Sequence, residues 1–279
     1  MADTHNSVTR VMSDEGGFRV IALRTTELAQ EAIATQGLSG PAASIFAELL
    51  TAAVLVRETM APTLRVQVIL KLGNGRFVAD SHPDGLTRGL AQLSSTDAEL
   101  SFGDDALLQV IRTMPEGRMH QSVVHVGAAT GVSGAVMSYL QESEQVMATL
   151  MVGALVDDGR VVSSGGYLVQ LLPELEEGLL MVMTERLETW KNLSPWLKDQ
   201  DASPSAVVEA LLYRMAHTHL ATSDLRYACV CSEERVLAAL ATLPPDDISE
   251  LLADKDVIPM SCDYCGCEYR IPADRLAIA

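Results

Sequence analysis

The residues best suited to chemistry are five cysteines, all between Cys229 and Cys267, with none earlier in the 279-residue chain. They read Cys229-Val-Cys231, then thirty residues, then Cys262-Asp-Tyr-Cys265-Gly-Cys267. Thiolates are soft ligands. A C-x-x-C turn brings two sulfurs onto one metal, and the tighter C-x-C does so when its side chains bend toward a common point. Two such pairs supply the four ligands of a tetrahedral zinc site. The same spacing serves redox chemistry: each pair can close its own disulfide, and metal-held sulfurs are already in the oxidisable thiolate form. On the residues alone, a plain structural zinc site and a redox switch both remain open. In either case the small module around the cysteines would gain much of its stability from the metal, on the order of 10 kcal/mol for comparable peptides.

The elements around the cysteines read as short helices. Ser232 caps a helix over Glu233 to Ala241, and Pro244-Pro245-Asp246-Asp247 opens a second through Leu252. Both fit between the two cysteine pairs and would fold them face to face. Upstream, the chain predicts mixed strand and helix. A strand is expected over Asp14 to Leu23, and a helix over Thr25 to Ala34 capped by Thr25 or Thr26. A longer helix runs from Pro41 to Thr59. Leu64 to Leu72 alternates as a strand, turned by Gly73-Asn74-Gly75 into a hairpin with Arg76 to Ser81. Further strands are expected at Leu107 to Met114, Gln121 to Val126, Ala148 to Val156 and Tyr167 to Leu172, with a helix over Ser133 to Val146. Hairpins with segregated helices make the fold class α+β.

After Pro173 the texture turns helical. Leu175, Leu179, Leu180, Val182, Met183, Leu187 and Trp190 form a stripe, and Ser203-Pro204 starts a helix through Val207, Val208, Leu211, Leu212 and Met215. The expected organisation is an α+β domain over 1–174, a helical linker over 175–226 and a C-terminal zinc-binding switch over 227–279. Met181, Met183 and Met215 in the linker suit either core packing or an adaptable binding surface.

Composition limits the function. Thirty-seven acidic against twenty basic residues leave a net charge of −17, a field that repels a phosphate backbone and weighs against nucleic acid as partner. The longest apolar stretches fall short of the roughly 20 residues of a membrane span, so no membrane association is expected. Met1 to Asp14 carries no basic segment followed by an apolar run, which predicts a cytoplasmic protein with reduced thiols. Enzymatic motifs are weak. Gly127 to Gly134 lacks the Gly-Lys-Ser/Thr of a phosphate loop and reads as a turn before a helix. Asp104-Asp105 and Asp157-Asp158 sit beside glycine in turns, and no catalytic residue is assigned. His217 and His219, placed on a helix, would not face each other.

The segments Cys-Val-Cys-Ser-Glu-Glu-Arg, Leu-Pro-Pro-Asp-Asp and Cys-Asp-Tyr-Cys-Gly-x-x-Tyr closely resemble the C-terminal switch of the 33 kDa heat shock protein family. Tyr139-Leu-Gln-Glu-Ser-Glu-Gln145, Ser164 to Pro173 and Gly73-Asn74-Gly75 extend the resemblance to essentially the whole chain. The resemblance implies a redox-regulated, ATP-independent holdase chaperone that is not an enzyme. It implies one zinc ion held by Cys229, Cys231, Cys262 and Cys265 in the reduced state, and disulfides Cys229–Cys231 and Cys262–Cys265 after oxidation. The implied partners are unfolded or oxidatively damaged client proteins, with a homodimer when oxidised. Cys267 departs from the pattern: it could replace a ligand, compete for a disulfide or stand aside. Two other readings compete: a zinc-ribbon binding module on a larger domain, and a thiol–disulfide oxidoreductase. The second would place its C-x-x-C at a helix start in a strand–helix unit, a pattern not found here.

Overall fold

The computed structural model describes residues 6–15, 17–94, 100–127, 131–173, 177–199, 203–252 and 256–276. The chain divides into two compact units, Met1–Tyr227 and Ala228–Ala279.

The first unit opens with two antiparallel strands, β1 (Asn6–Ser13) and β2 (Phe18–Thr25), then helices α1 (Thr26–Gln36) and α2 (Gly40–Glu58). Strands β3 (Arg65–Leu72), β4 (Gly75–Ser81), β5 (Leu86–Leu93), β6 (Leu107–Thr113) and β7 (Met119–His125) follow. After helix α3 (Gly131–Glu142), β8 (Ala148–Asp157) and β9 (Arg160–Leu171) form a hairpin. Then come three helices, α4 (Glu177–Trp190), α5 (Ser194–Lys198) and α6 (Pro204–Leu211), and the strands β10 (His217–Asp224) and β11 (Arg226–Tyr227). One sheet runs β10-β1-β2-β9-β8 and the other β11-β5-β4-β3-β6-β7. Helices and largely antiparallel sheets together give the α+β class expected above.

Helix α2 packs against strands of both sheets. Phe46, Leu49, Leu50, Val54 and Val56 meet Val66, Val68, Leu70 and Phe77 from one sheet and Leu150 and Leu168 from the other. Its 19 residues are long and apolar enough to cross a membrane, contrary to the expectation from apolar run length. Here that composition serves burial on nearly every side, which removes the need for a polar face. Glu48 is the exception. It is half-buried on α2 with burial pushing its carboxyl up to about 7 from 4.5. Below pH 4.5 the carboxyl is protonated in both folded and unfolded chains. Between 4.5 and 7 only the unfolded chain ionises, so stability falls as pH rises and then levels off. Glu48→Gln should therefore stabilise the protein by up to about 3 kcal/mol at pH 8 and leave it unchanged at pH 4, measured by urea unfolding.

The central strands of the first sheet, β2 and β9, are buried on both faces. In β2, Ile21 and Leu23 point to the core around α2, while Phe18, Val20 and Ala22 point to a second core with Val11, Tyr167 and Val169. That second core is closed by Met183 of α4, Leu193, Trp196 and Leu197 at α5, and Val207, Val208 and Leu211 of α6. Close approach requires a glycine here: a Cβ on Gly165 would meet the Trp196 ring at 2.7 Å and the Leu23 carbonyl at 2.6 Å. Arg24 ties the same helix down. Its guanidinium lies 4.3 Å from the Trp196 ring centroid and donates to Trp196 O at 2.9 Å, Asp199 O at 2.7 Å and Ser163 Oγ at 2.7 Å.

Several expectations are corrected. Asp14 to Leu23 is not one strand: Ser13 ends β1 and Phe18 starts β2. Thr25 stands at the N-cap of α1, but its hydroxyl bonds Thr51 and Ser164 instead of a helix N–H. α3 ends at Glu142, short of Val146. The region expected as a helical linker stops being helical at Leu211, and His217–Asp224 instead pairs with β1 as an exposed edge strand. Ser203 does cap α6, accepting from Ala206 N. His217 and His219 thus share one side of a strand; His217 Nδ1 bonds Met215 O and His219 Nε2 bonds Thr222 Oγ1. Of the linker methionines, Met183 is buried, Met215 half-buried and Met181 exposed. Leu175 lies outside the described residues.

The second unit holds α7 (Glu233–Leu240), α8 (Pro245–Leu252), the hairpin β12 (Val257–Ser261) and β13 (Glu268–Pro272), and a 3₁₀ turn, Ala273–Arg275. Ser232 caps α7, accepting from Arg235 N, as its position predicts. Among the described residues the fully packed apolar core is small: Leu240, Ile258, Ile271 and Leu276.

Candidate metal centre

Cys229 and Cys231 lie just before the cap of α7, and Cys262 and Cys265 lie in the turn of the β12–β13 hairpin. That turn is closed by backbone bonds. Cys262 O accepts from Cys265 N at 3.2 Å and Gly266 N at 2.7 Å, and Cys262 N donates to Cys267 O at 2.9 Å. Gly266 takes φ +69, a left-handed conformation that suits glycine and bends the chain sharply after Cys265.

The two pairs converge. The Sγ atoms of Cys229, Cys231, Cys262 and Cys265 all lie within 4.8 Å of one another. Cys229 Sγ is 3.7 Å from Cys262 Sγ, and Cys231 Sγ is 3.4 Å from Cys265 Sγ. These distances are far above a disulfide bond, and none of the five cysteines is in a disulfide. Four thiolates at about 2.3 Å from a tetrahedral metal stand about 3.8 Å apart, so both the donor set and the spacing fit a four-thiolate metal site. Burial pushes the Cys262 and Cys265 thiols up. Without a cation they hold their protons, and a bound divalent cation reverses that balance.

Hydrogen bonds to sulfur surround the cluster. Backbone N–H groups of Tyr264 and Cys265 beside Cys262, and of Cys267 beside Cys265, favour the thiolates and work against that burial. Cys231 Sγ accepts from the Tyr269 hydroxyl at 3.0 Å. Sequence reasoning passed over Tyr269. Its one signal was the tyrosine closing the Cys-Asp-Tyr-Cys-Gly-x-x-Tyr segment.

Cys267 is exposed and is not one of the four converging sulfurs; it lies between the left-handed Gly266 and the start of β13. Its backbone still serves the site through its N–H and carbonyl. The other sequence features stay apart from the cluster. Asp104 and Asp105 occupy a turn, and Asp157 ends β8 before a turn in which Asp158 has φ 43. Residues 128–130 of the Gly127–Gly134 segment lie outside the described residues, and Gly131 begins α3.

Fold and site together define an α+β protein carrying a separate module built around a four-thiolate, metal-competent cluster. The chain belongs to the Hsp33 protein family, whose sequence profile it matches over residues 6–272. Relatives named 33 kDa chaperonin include those of Syntrophotalea carbinolica, 26% identical over 96% of this chain and 97% of the relative, and of a Cyanothece species, 28% identical over 99% and 96%. The crystal structure of the 33 kDa chaperonin, or heat shock protein 33 homolog, from Thermotoga maritima superposes with a TM-score of 0.82. It is 22% identical, with 98% of this chain and 97% of that one covered, and shows the same fold.

Proposed function

We propose that this protein is a redox-regulated, ATP-independent holdase that binds unfolding or oxidatively damaged proteins and prevents their aggregation. The observation that carries the reading is the four-sulfur cluster at tetrahedral spacing in a unit with so small a core. Membership in a family whose relatives are named chaperonins supports it. The ligands are Cys229, Cys231, Cys262 and Cys265, and the metal is one zinc ion. Bound zinc would hold the four sulfurs as thiolates and supply the cross-link that a small core lacks.

Two equivalents of peroxide oxidise four thiolates to two disulfides, Cys229–Cys231 and Cys262–Cys265, and are reduced to four hydroxide ions. Each disulfide withdraws two ligands, and the folding energy tied to the metal goes with them. The switch, residues 227–279, then unfolds together with the linker, residues 175–226, from the chaperone core, residues 1–174. Detaching α4, α5 and α6 uncovers Phe18, Val20, Tyr167 and Val169, an apolar surface for clients. The acidic charge keeps such a protein soluble and disfavours nucleic acid as partner. The protein acts in the cytoplasm, dimerises when oxidised, performs no catalysis and needs no membrane.

The test measures zinc content and suppression of client aggregation before and after peroxide at mild heat. Reduced protein should carry one zinc and suppress poorly; oxidised protein should be zinc-free and suppress well. Equal suppression in both states overturns the proposal.

A further inference from the structure

The cluster sulfurs differ in what hydrogen-bonds to them. Beside Cys262 and Cys265 stand backbone N–H groups, which are part of the turn and persist whatever side chains surround it. Cys231 receives a side-chain donor, the phenol of Tyr269, at 3.0 Å. That phenol is held in place. Tyr269 is half-buried in β13, paired directly with Met260 of β12, and its ring packs against the small core of Leu240, Ile258 and Ile271. The ring is thus anchored by apolar contacts while its hydroxyl reaches the sulfur. The same hydroxyl is also within reach of the exposed Cys267 side chain.

We propose that Tyr269 is a positioning residue that sets the oxidation rate of the cluster by hydrogen-bonding the Cys231 sulfur. A donor to a metal-held thiolate withdraws electron density from the sulfur, which weakens it as a nucleophile and orients it toward the metal. The step affected is the attack of the Cys231 thiolate on peroxide. The sulfur bonds to one peroxide oxygen, the O–O bond breaks, hydroxide leaves, and a sulfenic acid results. The neighbouring Cys229 thiolate then displaces the second hydroxide to form the disulfide. In sum, two thiolates are oxidised by two electrons and one peroxide is reduced to two hydroxide ions. With its donor in place Cys231 is slow to begin this sequence, and the switch resists low levels of oxidant.

This inference rests on the redox-switch reading above. Its test compares full-length wild type with Tyr269→Phe, which keeps the ring and removes only the hydroxyl. Zinc release under hydrogen peroxide is followed with a chromogenic zinc chelator, and the cobalt-substituted proteins are compared by their sulfur-to-cobalt charge-transfer absorption. Tyr269→Phe should bind one zinc like wild type, shift the charge-transfer band, and release zinc about fivefold faster, the rate equivalent of one modest hydrogen bond. An unchanged rate with an unchanged band overturns the assignment. So does complete loss of metal in Tyr269→Phe, which would make the phenol a structural support. So does an equal acceleration in Cys267→Ser, which would place the effect at the exposed thiol. Failure of wild type itself to release zinc under peroxide would instead sink the redox-switch reading.

Discussion

Stripping the metal from the reduced protein with a strong chelator should unfold residues 228–279 while residues 6–173 stay folded. The C-terminal unit has four fully packed apolar side chains in its described core, Leu240, Ile258, Ile271 and Leu276. A unit of that size does not bury enough apolar surface to offset its chain entropy and needs a staple. The four sulfurs join the segment before α7 to the β12–β13 turn, so a metal there would cross-link the two ends of the unit. Its loss should remove on the order of 10 kcal/mol of folding energy. Cys265→Ser, which deletes one of the proposed ligands, should give the same result without chelator. Hydrogen exchange is the direct measurement: amides of α7, β12 and β13 should exchange freely after chelation, and those of α2 should remain protected. Retained protection in α7 and β12 would show that the unit folds on its own core.

The second large effect is expected at Trp196. Its indole lies on the bare backbone of Gly165, stacks under Arg24 and donates from Nε1 to Ser203 O at 3.2 Å. Trp196→Ala should cost about 3–5 kcal/mol in the docking of α4, α5 and α6 on the first sheet, since it leaves a cavity that glycine cannot fill. Under the proposed mechanism that loss uncovers Phe18, Val20, Tyr167 and Val169 without any oxidation. The reduced, metal-loaded variant should then bind a hydrophobic dye and suppress client aggregation. A variant that is less stable yet silent while reduced would separate linker docking from chaperone activity.

Much of the architecture is written in local pattern. The alternation of Val66, Val68, Leu70 and Leu72 defines β3, and Gly73-Asn74-Gly75 defines its turn. Ser203 and Ser232 cap the helices their positions predict. These signals survive because a strand with one buried face, a tight turn and a helix cap are each decided by residues close in sequence. β1 and β10 carry no such signal. Val8 faces one core and Val11 the other, so β1 shows no apolar alternation, and all of β10 is exposed. β1 pairs with β2 on one side and, across about two hundred residues of chain, with β10 on the other, from Ser7↔Asp224 to Ser13↔His217; β10 is a strand through that distant pairing. Local propensity does not report so distant a pairing.

The same division runs through the cysteines. Their types and spacing alone determined that this protein carries a metal-competent thiolate module, since C-x-C and C-x-x-C are chelating units whatever surrounds them. Spacing left Cys267 eligible beside Cys262 and Cys265, with only Gly266 separating it from Cys265. In the tertiary structure Gly266 is left-handed and Cys267 is exposed outside the four-sulfur group, while its carbonyl accepts from Cys262 N. Only the fold, too, could bring the Tyr269 hydroxyl to Cys231, thirty-eight residues away. Chelation by near neighbours is a property of sequence, whereas the approach of a hydroxyl to a distant sulfur depends on how β13 packs.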